Sequence, residues 1–256
     1  MIKVKKHIHG IALIDIWFAD APIKDRGIIN YKEAGYEIDG GEPFYTLITD
    51  LTEESEDIIK RFSSNCRNQV KRAYRDGSEF EIVSSEDMTE QDIEQFVTFF
   101  DEFWRSKGSK LDNPDVFLDD MKHYREEGIL TITKGIVDGE CCVYHTYLCD
   151  DNTARLLHSA SHFRLLQDEN NNSIRQVIGR ANRMLHYEDM LYFKNKGLKK
   201  YDWGGAGKDE EVASITEFKE SFGGTPVTYY DGTVENGIKA KTVVALSTIK
   251  RKLTGR

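Results

Sequence analysis

Residues 129–161 read ILTITKGIVDGECCVYHTYLCDDNTARLLHSAS, and this stretch decides the fold. Three runs of strand-forming residues lie at 129–137, 140–148 and 153–161, separated by Asp138-Gly139 and by Asp150-Asp151-Asn152. An Asp-Gly pair favours a two-residue hairpin turn, because residues at both turn positions must adopt positive φ angles. The stretch therefore predicts an antiparallel meander of strands at the centre of the chain.

Helical patterns lie on both sides of this meander. Upstream, the sequence predicts helices at about 52–63, 65–75, 89–107 and from Pro114, and strands at 11–18, 44–51 and 79–83. Downstream, it predicts a loop at 163–174, helices at 175–196 and 212–221, and strands at 198–203 and 225–230. The predicted fold is of the α+β type, with a mixed, mostly antiparallel central sheet flanked by helices. This order resembles that of the GNAT acyltransferase fold, and the resemblance implies that the strand after the long helix splays from its neighbour at the donor site.

Composition and charge narrow the class of protein. Hydrophobic residues make up 39% of the 256 positions and charged residues 31%, which is typical of a globular protein. The formal net charge of -9 argues against a protein that binds duplex nucleic acid. No apolar stretch approaches the roughly 20 residues of a membrane helix, so we expect a cytoplasmic protein that visits the inner membrane surface at most transiently. We expect an abbreviated N-terminal segment at 1–42, an acyltransferase domain at 43–232 and a basic tail at 233–256.

A glycine-containing motif precedes the late strands. Gln176-Val177-Ile178-Gly179-Arg180-Ala181 fits the pattern Q/R-x-x-G-x-G/A. As a turn at a helix N-terminus it would hold a donor pyrophosphate, because small residues and free N–H groups let an anion approach. The same letters also fit the interior of an amphipathic helix. In the first interpretation the donor-binding residues are Arg175, Gln176, Gly179, Arg180 and Ala181.

A second pair of motifs carries a family resemblance. Tyr201-Asp202-Trp203-Gly204-Gly205 is followed by Phe218-Lys219-Glu220-Ser221-Phe222-Gly223-Gly224. A strand ending in Y-D-x-G-G and then F-K-x-x-F-G-G resembles the Fem family of peptidoglycan-bridge aminoacyltransferases and the FemAB-like proteins. Residues 66–73, the end of the meander and the stretch 178–194 are also similar to that group. The resemblance spans about residues 43–230.

The resemblance implies a GNAT-like fold and acyl transfer to an amine. We expect an N-acyltransferase that acts on an amino group of a cell-envelope sugar or peptide precursor, with acyl-CoA such as acetyl-CoA as co-substrate. The alternatives are a Fem-type enzyme that uses aminoacyl-tRNA, and a non-catalytic relative that binds an envelope precursor or a partner protein. The acidic charge, the single-domain length and the glycine-containing motif favour acyl-CoA.

Several side chains are candidates for the chemistry of amide formation. Asp202 would orient or deprotonate the acceptor amine, or would simply cap the turn before Gly204. Lys219 would hold an anionic group or steady developing negative charge, or would be a surface lysine of its helix. His145 and His158 are candidate bases on neighbouring strands, although a core histidine is the simpler interpretation of each. Glu188 on the long helix is a further candidate, with a charged helix face as the alternative. No metal-binding motif occurs, so we predict no metal.

Substrate contacts are predicted on one helix and in the late motif. Arg67 and Lys71 belong to a basic helix face that would clamp a phosphate, or would simply be solvated. Tyr201 and Trp203, within the Y-D-x-G-G motif, are predicted to contact substrate through the resemblance.

Overall fold

The computed structural model describes residues 1–8, 10–162, 171–207 and 210–242. The chain divides into two compact units, one made of Met1–Thr46 and Val227–Arg256 and the other of Leu47–Pro226. The domain boundaries expected at 42 and 232 stay a prediction. No helix among the described residues has the length and apolarity needed to cross a bilayer.

The first unit is built on strands from both ends of the chain. Its strands are β1 (Ile2–Ile8), β2 (Ile11–Trp17), β3 (Gly27–Ala34) and β10 (Thr225–Asn236). Strand β2 is antiparallel to β1 and parallel to β3, and β10 is antiparallel to β3. Its apolar core includes the buried side chains of Ile14, Ile16, Ile29 and Tyr31.

The second unit contains the meander and the helices. In spatial order its strands are β4 (Glu42–Asp50), β9 (Lys200–Asp202), β8 (Thr153–Ser161), β7 (Glu140–Cys149), β6 (Leu130–Val137) and β5 (Glu79–Ser84). Its helices are α1 (Ser55–Arg61), α2 (Ser64–Arg75), α3 (Glu90–Ser106), α4 (Pro114–Glu126), α5 (Asn171–Asn195) and α6 (Glu210–Glu220). Neighbouring strands are antiparallel except β8 and β9, which run parallel. The predicted α+β sheet flanked by helices is confirmed.

Local sequence signals account for the elements around the meander. Asp138 and Gly139 have φ angles of 52° and 81°, the double positive pair that an Asp-Gly hairpin requires. Thr89 accepts the backbone N–H of Asp92, and the Asp92 carboxylate accepts the backbone N–H of Thr89, which fixes the start of α3. Burial of Ile93, Phe96 and Phe100 on one face then anchors this helix.

The strand after the long helix diverges from its neighbour, as the predicted fold requires. Parallel pairing of β8 with β9 covers only Thr153 to Arg155, opposite Lys200 to Asp202. Beyond this point Gly204 has a φ of +63°, and a Cβ added there would lie 2.7 Å from the carbonyl oxygen of Leu156. Glycine is therefore needed where the diverging chain passes closest to β8.

Some predicted boundaries need correction. The N-terminal strand β1 was not predicted, although Ile2 and Val4 are buried and alternate with exposed lysines. Strand β3 was also missed, because its central residues Asn30, Lys32 and Glu33 weaken the apolar signal. The helix predicted at 52–63 is shorter, and β10 is longer than the predicted 225–230. Helix α5 starts inside the predicted loop 163–174, of which residues 163–170 lie outside the described residues.

Candidate active site

A cleft of about 250 Å³ opens where β8 and the segment after β9 separate. Side chains from α3, β8, α5, α6 and the segment after β9 surround it. The lining residues are Phe103, Lys107, Leu156, Ser159, Ala160, Ser161, Asn182, His186, Trp203, Ser214, Ile215, Phe218 and Lys219. The walls thus combine aromatic and aliphatic surface with a few polar side chains, which is the usual make-up of a small-molecule site.

Lys219 is the predicted catalytic residue that lines this cleft. Its Nζ donates to the carbonyl oxygens of Gly204 and Gly205 at 3.2 and 2.7 Å. The side chain is only 9% exposed, so its positive charge acts in a largely desolvated environment. Lys219 therefore fixes the segment after β9 and brings a cation to the cleft.

Asp202 directly precedes the lining residue Trp203 but does not itself line the cleft. The side chain is fully buried, and its Oδ1 accepts the backbone N–H of Gly204 at 2.8 Å. This local hydrogen bond fixes the turn after β9. Arg155 faces Asp202 across the parallel strands, and its guanidinium donates to the Leu156 carbonyl oxygen at 3.1 Å. The predicted action of Asp202 on an amine stays a prediction.

His186, which was not among the predicted site residues, also lines the cleft. Its Nδ1 lies 2.7 Å from the hydroxyl of Tyr201, and its ring lies 4.8 Å from that of Trp203, between centroids. The rings of Phe218 and Phe222 are 5.6 and 5.5 Å away. Helix α5 therefore places a buried imidazole in an aromatic setting beside the cleft. The residues next to His186 in the sequence do not indicate a functional role, because the rings that contact it come from elements distant along the chain.

Behind His186 lies a connected set of buried polar side chains. The Tyr147 hydroxyl donates to Oδ2 of Asp189 at 2.5 Å and lies 2.7 Å from the Tyr201 hydroxyl. His145 lies between two side chains of α5, with Nδ1 2.8 Å from Asp189 Oδ2 and Nε2 2.7 Å from Asn182 Oδ1. The His145 and His186 rings stack at 3.9 Å. The predicted candidate His145 thus belongs to this network, one ring behind the cleft.

Burial decides the protonation states in this network. It raises the pKa values of Tyr147 and Tyr201 well above their usual values, so both phenols keep their protons. It lowers the pKa of His186 well below its usual value, and the charges of His145, Lys219 and Arg183 lower it further. The imidazole of His186 is therefore neutral at pH 7.

Three of these side chains could each offer a ligand atom to a metal ion. The ligand atoms of His145, His186 and Asp189 lie within 4.8 Å of one another. Hydrogen bonds account for this proximity, because both ring nitrogens of His145 already contact polar partners and Nδ1 of His186 contacts Tyr201. Stacked imidazole rings also direct their nitrogen lone pairs side by side rather than towards a common centre.

Two other predicted catalytic candidates lie away from the cleft. His158 packs among aromatic rings, with its centroid 4.8 Å from Phe100 and 5.2 Å from Phe117. Burial lowers the pKa of His158 to about 3, and the charge of Arg155 adds to the effect. Glu188 accepts a hydrogen bond from the Tyr74 hydroxyl of α2, and burial raises its pKa. Both contacts are those of packing residues.

The donor turn predicted at Gln176–Ala181 is wrong as a structure. These residues lie inside α5, which begins at Asn171, so their backbone N–H groups make intrahelical hydrogen bonds. Ala181 is fully buried, and the Arg180 guanidinium contacts the Asp76 carboxylate at 2.6 Å. Arg175 and Gln176 are exposed, and Gly179 lies near the Arg183 side chain. The helix-interior interpretation, which the sequence left open, is the correct one.

The predicted substrate contacts also separate into different places. Arg67 donates to the carbonyl oxygens of Lys60, at 2.8 Å, and Phe62, so it caps the end of α1. Lys71 is exposed on α2. Tyr201 is fully buried within the polar network, whereas Trp203 lines the cleft and donates to Thr49 Oγ1 at 3.1 Å. Trp203 is the member of this group that the structure brings to the cleft.

Comparison with solved structures supports the fold. FemX superposes with a TM-score of 0.59 at 14% identity, over 79% of this chain and 63% of the FemX chain. L-PGS from Bacillus licheniformis gives a TM-score of 0.50 at 11% identity, over 87% of this chain and 72% of that chain. A conserved protein of unknown function from Bacteroides thetaiotaomicron VPI-5482 gives a TM-score of 0.53 at 13% identity, over 75% of this chain and 60% of that chain.

These likenesses hold at the level of architecture. No protein-family model and no curated protein sequence matches the chain. The chain spans less than two thirds of FemX and of the Bacteroides protein. The structure has a GNAT-like fold, and the resemblance to FemAB-like proteins is confirmed for the fold.

Proposed function

We propose that this chain is an acyltransferase that forms an amide between an activated acyl donor and an acceptor amine in the cleft beside β8. The observation that carries the proposal is the cleft itself, at the point where β8 and the segment after β9 diverge, with Lys219 at its wall. In a GNAT-like fold this is where donor and acceptor meet. The late sequence motifs that resemble the Fem family supply Trp203 and Lys219 to the same place.

The cleft suits catalysis by positioning and charge. Acyl transfer builds negative charge on the carbonyl oxygen of the donor as the amine attacks. Lys219 lines the cleft, so its ammonium group would oppose that negative charge. Its hydrogen bonds to the carbonyl oxygens of Gly204 and Gly205 hold the ammonium group in place before substrate binds. Apolar surface from Phe218, Trp203 and Leu156 excludes water around the reacting groups.

Two classes of acyl donor fit this reaction, acyl-CoA and aminoacyl-tRNA. Acyl-CoA was favoured by a pyrophosphate-binding turn, and that support falls away because Gln176–Ala181 is helix interior. The fold likeness to FemX and to L-PGS favours an aminoacyl donor instead. We therefore place aminoacyl-tRNA first and acyl-CoA second, with an amino group of a cell-envelope precursor as the acceptor class in both cases.

Donor binding and transfer test this proposal directly. The purified chain would be titrated with acetyl-CoA, with Ala-tRNA and Lys-tRNA, and with uncharged tRNA at several salt concentrations. Transfer would be measured from each labelled donor to glucosamine and to Nα-acetyl-lysine as soluble amines. We expect labelled amide from an aminoacyl-tRNA, and an affinity for tRNA that falls steeply with salt as counterions are released.

A matched pair of lysine variants makes the test specific to the cleft. Lys219→Met removes the cleft ammonium and should lower transfer about 100-fold or more, as expected for a charge that stabilises an oxyanion. Lys110→Met removes an exposed lysine of the same unit and should leave transfer unchanged. Transfer from acetyl-CoA alone would reverse the order of donors. Absence of both binding and transfer with every donor would overturn the proposal.

A further inference from the structure

The buried polar side chains behind the cleft form one continuous line of hydrogen bonds. It runs from Asp189 Oδ2 through the hydroxyls of Tyr147 and Tyr201 to Nδ1 of His186, with successive distances of 2.5, 2.7 and 2.7 Å. All four residues are at most 1% exposed. Only His186, at the end of the line, also lines the cleft.

The direction of each hydrogen bond follows from the carboxylate at the far end. Oδ2 of Asp189 accepts the hydrogen bond that the Tyr147 hydroxyl donates. The Tyr147 oxygen is then left to accept from Tyr201, and the Tyr201 oxygen accepts from His186 in turn. This order requires the proton of a neutral His186 to reside on Nδ1. Nε2 then carries the lone pair, and no hydrogen bond of the described residues involves it.

We propose that His186 is the general base of the cleft, and that Asp189, Tyr147 and Tyr201 are positioning residues that keep its Nε2 unprotonated. This inference rests on the proposed acyl transfer, because it names the group that takes the proton of the acceptor amine. The network gives His186 a role like that of a histidine whose tautomer is fixed by a buried carboxylate, here through two intervening phenols.

The proton and bond changes balance with His186 in this role. The neutral amine nitrogen attacks the donor carbonyl carbon, so an N–C bond forms and the carbonyl oxygen becomes negative. The attached nitrogen is now cationic and far more acidic than an ordinary ammonium, and it passes one proton to Nε2. The tetrahedral intermediate then expels the donor alcohol or thiol, which takes that proton from Nε2. An amide and a protonated leaving group result, and His186 is neutral again.

The charged groups around His186 keep it in the reactive form. His145 of β7 stacks on its ring, Lys219 of α6 shares the cleft, and Arg183 lies one helical turn away on α5. Tyr201 of β9 and Trp203 after it complete the surroundings without adding charge at pH 7. Burial of the ring opposes a second proton on His186, and the positive charges of Lys219 and Arg183 add to this effect, so the imidazole is neutral at pH 7.

The tautomer is measurable without any knowledge of the substrate. Nitrogen-15 labelling of histidine and long-range proton–nitrogen spectra of the complete chain distinguish a protonated ring nitrogen from an unprotonated one. We expect His186 to show protonated Nδ1 and unprotonated Nε2, with the assignment made by loss of its signals in His186→Gln. A proton on Nε2 at pH 7 would overturn the inference whatever the donor is.

Kinetics of two variants and two controls test the catalytic consequence. His186→Gln should lower kcat by roughly 100-fold or more with little change in KM, the usual contribution of a general base. Tyr201→Phe removes the acceptor for Nδ1–H and should lower kcat about tenfold, the effect of one buried hydrogen bond. His123→Gln on α4 and Tyr74→Phe, which removes a hydroxyl bonded to Glu188 of α5, should leave kcat within twofold.

The possible outcomes separate the two proposals. A wild-type chain without transfer activity, but with the expected His186 tautomer, would refute the acyl transfer and leave the hydrogen-bond order intact. An active wild type with an equally active His186→Gln variant would refute the base and leave the acyl transfer standing. Since His186 is buried, the tautomer measurement on the unmodified chain decides the question if the variant does not fold.

Discussion

Two glycines with positive φ angles, one of them in the late motif, differ in how closely other atoms approach them. Gly223, in the F-K-x-x-F-G-G motif, has a φ of +75°, and a Cβ added there would lie 2.5 Å from the carbonyl oxygen of Arg61. Gly77 has nearly the same φ, +78°, with no atom within 4 Å of the added Cβ. The two positions therefore separate the cost of the left-handed conformation from the cost of close approach.

Gly223→Ala should destabilise the chain much more than Gly77→Ala. The left-handed conformation alone costs about 1–2 kcal/mol, which is what Gly77→Ala should show in urea unfolding. Gly223→Ala adds a collision with backbone and should lose roughly 2–5 kcal/mol in total. Equal losses would show that the turn at Gly223 relaxes to admit a side chain.

A histidine packed among aromatic rings makes stability depend on pH. The folded state holds the pKa of His158 at about 3, whereas an unfolded histidine titrates near 6.5. The unfolded chain therefore binds more protons below pH 6.5, and stability falls as the pH drops from 6.5 towards 3. The slope from this group approaches about 1.4 kcal/mol per pH unit, and His186 adds to it in the same direction.

Replacing His158 should flatten this dependence. His158→Leu keeps an apolar side chain among Phe100 and Phe117 and removes the titrating group. We expect the free energy of unfolding of the variant to change less between pH 7 and pH 5 than that of the wild type. His123→Gln, at a partly exposed position of α4, serves as the control. An unchanged slope in His158→Leu would show that His158 takes up its proton over the same pH range in the folded and unfolded chains.

Single residues also show what sequence reasoning can and cannot reach. Lys219 was identified because it belongs to a local motif, F-K-x-x-F-G-G, that can be read without the fold. His186 was missed because its partners Tyr201, Tyr147 and Asp189 come from β9, β7 and α5. The chemistry of a buried histidine depends on those partners, and no spacing along the chain encodes them.

At the level of elements, Arg180 connects two helices. Its guanidinium on α5 contacts the carboxylate of Asp76 at the end of α2 at 2.6 Å, and its side chain is 7% exposed. Arg72 lies 3.9 Å from the same carboxylate with 59% of its side chain exposed. One carboxylate therefore has a buried partner and a solvated one.

Arg180→Ala should lose about 2 kcal/mol of stability, since a largely buried charge-assisted hydrogen bond disappears. Arg72→Ala should change stability by less than about 0.5 kcal/mol, as exposed pairs usually do. Both values follow from urea unfolding at pH 7. If the two variants were equally stable, the contact between α2 and α5 would not depend on Arg180.

Element prediction succeeded where local signals were strong. The Asp138-Gly139 turn and the apolar face of α3 gave the meander and its covering helix correctly. It failed at β1, where lysines at 3, 5 and 6 hide the alternation with Ile2 and Val4. It also failed for the turn at Gly179, because small residues serve both an anion-binding turn and a close helix contact.

At the scale of the whole molecule, sequence order decided the fold and left the chemistry open. Helices, meander, long helix and diverging strand predict the GNAT-like arrangement, which the comparison with FemX confirms for the fold. The position of the cleft follows from that arrangement. The nature of its walls does not, because residues such as Phe103 and Ile215 reach it from helices whose placement the sequence does not specify.

The pairing of β3 with β10 has a consequence for how the protein is made. Gly27 pairs with Asn236, so a strand translated early is completed by one translated about 200 residues later. At about 5–20 residues per second, the ribosome needs roughly 10–40 seconds to deliver that partner. During this interval one edge of β3 remains open in the nascent chain, and such an edge is a site for misassociation with other chains. Strand β3 is thus synthesised well before it can become fully paired.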